Sequence, residues 1–185
     1  MINTLFKYIL NIRFLFFAND SLAQNSNFTP VTAKMIQERL SVSEVVNIHP
    51  RLFFSQDDIH RIRKLNEQGD TPIHIGYLQN QIEASKILKE PLLSYYLDEA
   101  KLRVPSIHKF AVQLPHLVMM YQLTGDTSFA RRIVNQFKKL NDFPDWGANR
   151  HFLDAGIASK GAGMALDGLF DYLNPNQKLL LWESF

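Results

Sequence analysis

The sequence predicts an all-α fold built from helical hairpins, and three observations carry that prediction. Apolar residues recur at helical spacing, capping residues open those segments and glycines close them, and no segment of any length alternates with the period of two that a half-buried strand requires. No fixed-period repeat of the kind that marks a solenoid is present. With 185 residues, 46% of them apolar and 21% charged, the chain has room for one ordinary domain with a packed core.

Residues 1–23 are expected to be a secretory signal, the alternative being an N-terminal helix of the mature fold. Lys7 accompanies a run rich in Leu, Ile and Phe, and Ser21 and Ala23 place small residues where a signal peptidase reads before Gln24; Asn11 and Arg13 divide the run. This predicts a periplasmic or secreted protein with no membrane attachment after cleavage, because no run of about 18 uninterrupted apolar residues exists. Residues 24–48 are polar and mixed and are expected to form a loop or linker, with the folded part over 49–185.

The helices follow in order. Ser55 can cap a helix whose first turn carries Asp57 and Asp58, and Ile59, Ile62 and Leu65 give it a stripe that Gly69 ends. Thr71 followed by Pro72 is a cap with Pro at the first helical position, opening a helix to about Leu88. Pro91 and Pro105 bracket "EPLLSYYLDEAKLRVP", expected as loop with short extended pieces. Ile107, Phe110, Leu114, Leu117 and Tyr121 share one helix face, with Pro115 predicted to kink it. "TGD" closes that helix and caps the next, whose stripe is Phe129, Ile133, Phe137 and Leu140, so the two form an antiparallel hairpin. A helix from about Leu153 to Tyr172 contains Gly156, Gly161, Gly163 and Gly168. Each interior Gly costs roughly 0.5–1 kcal/mol against Ala, which calls for a compensation such as close packing. Asn174 and Pro175 open a last helix, and a chain stopping inside it reads as truncated.

Composition excludes several chemistries. No Cys means no disulfide, thiolate metal site or Cys nucleophile. Twenty basic against 18 acidic residues, without long runs, give no reason to expect nucleic acid. HExxH, GxSxG and P-loop patterns are absent, and the six histidines (49, 60, 74, 108, 116 and 151) show no metal-ligand spacing, so neither metal nor cofactor is expected.

One stretch is chemically dense: "FPDWGANRHFLDAG", residues 143–156. Trp146 could offer an apolar face to a sugar ring, Arg150 could pair with a carboxylate or sulfate, and His151 could act as acid, base or charge partner near neutral pH. These three are the expected substrate-binding residues for an anionic carbohydrate. The same residues can equally serve structure: Trp146 as a plug under the loop, Arg150 as solvated surface, His151 as a hydrogen bonder and Asp154 as a first-turn charge. Asp145 and Asp154 are the loop's carboxylates, but their spacing does not argue for a glycosidase pair.

In order, "HPRLFFSQDDIHRIRKL", "YQLTGDTSFARRIVNQFKKL", "FPDWGANRHFLDAG" and "ALDGLFDYLNPNQK" resemble the N-terminal helical part of the heparinase II/III-like polysaccharide lyases, from about His49 to the last residue. The resemblance implies part of an (α/α) toroid, normally followed by a β-sandwich. It also implies β-elimination on uronic-acid polysaccharides such as glycosaminoglycan or alginate. In that chemistry the uronate carboxylate is neutralised while a Tyr or His removes the C5 proton. The family's catalytic Asn, Tyr and His are expected beyond residue 185, in a missing C-terminal part of the same fold, so the 185-residue chain is expected to be inactive alone. Ile157 stands where the family tends to have an acidic residue, and Gly168 where it tends to have Trp. The alternative is a non-catalytic, truncated helical module that binds acidic glycans.

Overall fold

A computed structural model describes residues 32–41, 48–69, 71–147, 150 and 152–183. The proposed signal, residues 1–23, lies outside them. The chain divides into two compact units, Met1–Val46 and Asn47–Phe185. In the first, the described part is helix α1 (Ala33–Ser41), which falls within the stretch expected to be loop. Thr32 Oγ1 accepts from the Met35 N–H at 3.2 Å, and this local cap gives the chain a nucleus there.

The second unit holds α2 (Gln56–Glu67), α3 (Pro72–Lys89), α4 (Pro105–Thr124), α5 (Thr127–Asn141), α6 (Phe152–Gly168) and α7 (Pro175–Glu183), with no strand among the described residues. The fold is all-α. Local chemistry sets the boundaries. Ser55 and Asp58 form a reciprocal capping box on α2, in which the Ser55 backbone N–H, the largest cause, holds the Asp58 carboxyl down to about 2. Thr71 caps α3 ahead of Pro72, and Asp126 caps α5. Gly125 ends α4 at φ 72°, a left-handed conformation that favours glycine. Arg63 reaches from α2 to donate to the Gln122 and Leu123 carbonyls, satisfying acceptors that the end of α4 leaves open.

Helix α4 is the centre. It packs on α6, α5, α3 and α2, while α7 closes against α5 and α6. Ile107, Phe110, Leu114 and Leu117 are buried as their spacing predicts, and Phe110 meets Phe137 of α5 edge-to-face at 4.9 Å. Pro115 lies inside α4 without ending it.

Helix α6 can lie close to α4 because it lacks side chains where they touch. A Cβ on Gly168 would come within 2.4 Å of Val118 Cγ1, and one on Gly161 within 3.4 Å of Leu114 and Phe110. Asp154, Ala158, Gly161, Ala165 and Gly168, at spacings of 4, 3, 4 and 3, are the buried stripe. Helix α6 ends at Gly168, four residues before the expected Tyr172, because the chain turns there to seat Leu169 and Leu173 in the core.

The segment before α2 is a strap tied to the far end of α6. Asp167 accepts the Arg51 and Leu52 N–H groups at 2.9 Å each through Oδ2 and lies 2.7 Å from His49 Nδ1 through Oδ1. The His49 ring stacks on Phe170 at 3.9 Å, and Lys178 Nζ sits 3.5 Å from the Phe170 ring centroid.

Candidate functional site

The chemically dense loop joins α5 to α6 and is held from three directions. Trp146 is half-buried against the core, and its indole N–H donates to the Leu140 carbonyl at 2.9 Å, satisfying an acceptor near the end of α5. The Asp145 carboxylate accepts the Gly147 N–H at 2.7 Å and a two-pronged grip from Arg150 at 2.7 and 2.9 Å. Hydrogen bonding from Arg150 is the main reason the Asp145 carboxyl is held below its ordinary value, and the same pairing raises the guanidinium. Arg150 Nη2 also donates to the Tyr95 hydroxyl at 2.7 Å, latching the loop onto the segment that precedes α4. Gly147 is required twice over: its φ is 79°, and a Cβ there would stand 3.1 Å from Asp154 Oδ2.

Asp154, on the first turn of α6, is fully buried. Its Oδ2 accepts the Val104 N–H at 2.7 Å, at the start of α4, and its Oδ1 lies 2.6 Å from His108 Nε2. A carboxylate only accepts, so Nε2 carries the proton and the imidazole is fixed in one orientation, with Nδ1 lacking a partner among the described residues. Asp154 is therefore the junction of two core helices, a larger role than the first-turn charge expected of it. One signal was available in the sequence: Asp154 is in register with the small-residue stripe, which places it inside. Nothing in the sequence pairs it with His108, because that contact needs the α4–α6 crossing.

His108 lines a cavity of about 300 Å³ between α4 and α6, together with Val112, Leu114, Pro115, Ile157, Lys160 and Met164. Its charged wall is Lys160, and behind His108 lies the Asp154 carboxylate. On the neighbouring face of α6, Phe152 is 76% exposed, and Gly156, Lys160 and Gly163 follow it at helical spacing. A Cβ on Gly156 or Gly163 would meet nothing within 4 Å, so close packing explains two of the four α6 glycines and leaves two facing open space.

No protein-family model matches the chain, and no curated protein matches it. What the residues can do follows from geometry alone. Of the loop residues expected to bind substrate, Trp146 and Arg150 are each committed to holding the loop, through Leu140 and through Asp145 and Tyr95; His151 lies outside the described residues. Asp145 is paired with Arg150 and Asp154 is buried, so neither is an open carboxylate of the kind glycoside hydrolysis needs. Among the described residues, no group of three His, Asp or Glu is gathered that could hold a metal ion.

Proposed function

We propose that the chain is the helical toroid part of an exported polysaccharide lyase acting by β-elimination on uronic-acid polysaccharides such as glycosaminoglycan or alginate. The observation that best supports this is where the resembling motifs meet. His49 of "HPRLFF" lies on Asp167 of "ALDGLFDYL", and Asp154 of "HFLD" holds the opening of the helix that leads into "YQLTGD". The resemblance thus falls on residues that pin one another across the fold.

In this reading the loop is a rim contact. Trp146 contributes a ring edge, Arg150 the second Nη1 hydrogen not used on Asp145, and His151 a charge that follows pH. The elimination itself needs a Tyr or His base with a leaving-group acid, which the reading assigns to the remainder of the fold. The test pairs two measurements: affinity of the 185-residue chain for glycosaminoglycan and alginate against a neutral dextran, and ultraviolet absorbance of unsaturated uronate on expression of the full reading frame. Selective binding by the chain and absorbance from the full frame are expected. No absorbance on any polymer would remove the lyase assignment.

The second reading, a non-catalytic module that binds acidic glycans, is favoured by where the carboxylates are spent: Asp145 is paired with Arg150, and Asp154 is buried against the Val104 N–H and His108, so neither is open to act as acid or base. It predicts selective binding and no turnover in both measurements.

A further inference from the structure

We propose that α3 pairs two copies of this chain, antiparallel about a two-fold axis between Leu78 and Gln79. The starting point is a helix that is apolar on two opposite sides. Tyr77, Ala84, Ile87 and Leu88 turn inward onto the core, while Ile75, Gln79, Ile82, Lys86 and Lys89, at spacings of 4, 3, 4 and 3, form an exposed stripe. Ile75 is 54% exposed, Ile82 56% and Leu78, on the flank of the stripe, 42%. A helix apolar all round is the pattern of one enclosed on both sides, and the packing of α3 on α2, α4 and α5 accounts for the inner side alone.

Symmetry, charge and size identify the cover as a second α3. In an antiparallel pair, an axis between Leu78 and Gln79 sets Ile75 of each copy level with the partner's Ile82, so the apolar residues meet one another twice over. Self-complementarity of this kind is what an isologous dimer requires. Charge fixes the direction. Helix α3 carries Lys86 and Lys89 in its last turn and no acidic residue in its first, so a parallel pair would set lysine against lysine. The antiparallel pair instead carries Lys89 to the level of the partner's Gln68, one residue from Glu67. Lys89 and Glu67 are both exposed, and no ion pair forms on either among the described residues. Size sets the strength. The 18 residues of α3 span about 27 Å, and a helix about 10 Å wide offers well under the roughly 800 Å² per partner of a standard stable interface. The dimer is therefore concentration-dependent, with a dissociation constant on the order of 10–100 μM.

The test is sedimentation equilibrium of the 185-residue chain across that range, where a monomer–dimer equilibrium is expected. Ile82→Glu sets a carboxylate against the partner's Ile75 and should weaken the dimer about tenfold or more with an unchanged melt, because Ile82 is exposed in the single copy. Leu102→Ser, at an apolar residue 50% exposed elsewhere, should leave the equilibrium as it is. Lys89→Glu should weaken it about threefold, and adding Glu67→Lys should restore the loss, which non-specific apolar association would not do. Because the chain holds no cysteine, Leu78→Cys should give a disulfide-linked dimer on mild oxidation, and Leu102→Cys should not. Dimerisation that survives Ile82→Glu, or a chain monomeric up to about 1 mM, overturns the proposal. A monomer that binds lipid vesicles through Ile75 and Ile82 overturns it as well and makes the stripe a membrane contact.

Discussion

Asp154 and Asp167 stand near opposite ends of α6, and each accepts a backbone N–H and faces a histidine, yet what they hold differs. Asp154 is fully buried and joins the starts of two core helices, α6 and α4. Asp167 receives the strap from His49 to Leu52, which lies outside the core and is held by hydrogen bonds, a ring stack and a cation over that ring. The same chemistry is structural scaffolding at one end and a fastening at the other. Both ends border a cavity, about 140 Å³ lined by His49 and Asp167 at one end and about 300 Å³ lined by His108 at the other, so the difference between them lies in what each carboxylate holds.

The largest effect should come from removing that junction. Asp154→Ala leaves the Val104 N–H buried and His108 without its partner, and losses of this kind run to about 3–5 kcal/mol. The expected outcome is a large fall in melting temperature or no cooperative fold. Asp167→Ala should cost less, about 1–3 kcal/mol, because the strap can detach as a local unit. Hydrogen exchange separates the cases: faster exchange confined to residues 49–54 in the Asp167 variant, and across α4 and α6 in the Asp154 variant. Equal global loss in both would erase the distinction.

The glycines of α6 sharpen it further. Gly168→Ala drives a methyl into Val118 and should destabilise by roughly 1–3 kcal/mol, whereas Gly163→Ala meets open space and should stabilise by about 0.5–1 kcal/mol. Opposite signs in denaturant midpoints are the expected result. If Gly163→Ala destabilises instead, the two glycines do not differ in their surroundings and the contrast along α6 fails.

How much of this was legible in the sequence depends on which interactions are local. Caps at Ser55, Thr71 and Asp126 and the stripe from Ile107 to Leu117 act within a turn or two, so spacing and residue type exposed them. The site was less legible. Trp146 and Arg150 were identified by residue type, but their partners, Leu140, Asp145 and Tyr95, show two side chains engaged in holding a loop. His108 carried no signal of its own, since its role depends on a carboxylate 46 positions away. Helix α1 was missed because it is nine residues long, so Ala33, Ile36 and Leu40 give only two helical steps within a polar stretch.

The smallest expected effect concerns the loop latch and its response to acid. Asp145 is held below its ordinary carboxyl value in the fold, chiefly by Arg150, so the pairing stabilises above the unfolded value and is lost as pH falls through the lower, folded one. Arg150 stays charged throughout, so the carboxylate alone sets the transition. Both side chains reach solvent, at 25% and 23% exposed, so screening keeps the contribution of the pair small. In a Trp182→Phe background, Trp146 fluorescence should report loosening of the loop below about pH 4, ahead of global unfolding. Arg150→Ala should remove that step by leaving the loop loose at neutral pH, with α4 and α6 still protected in hydrogen exchange. A low-pH step that survives the Arg150 variant would show that Trp146 responds to the core rather than the latch, and the loop would then belong to the same cooperative unit as Asp154.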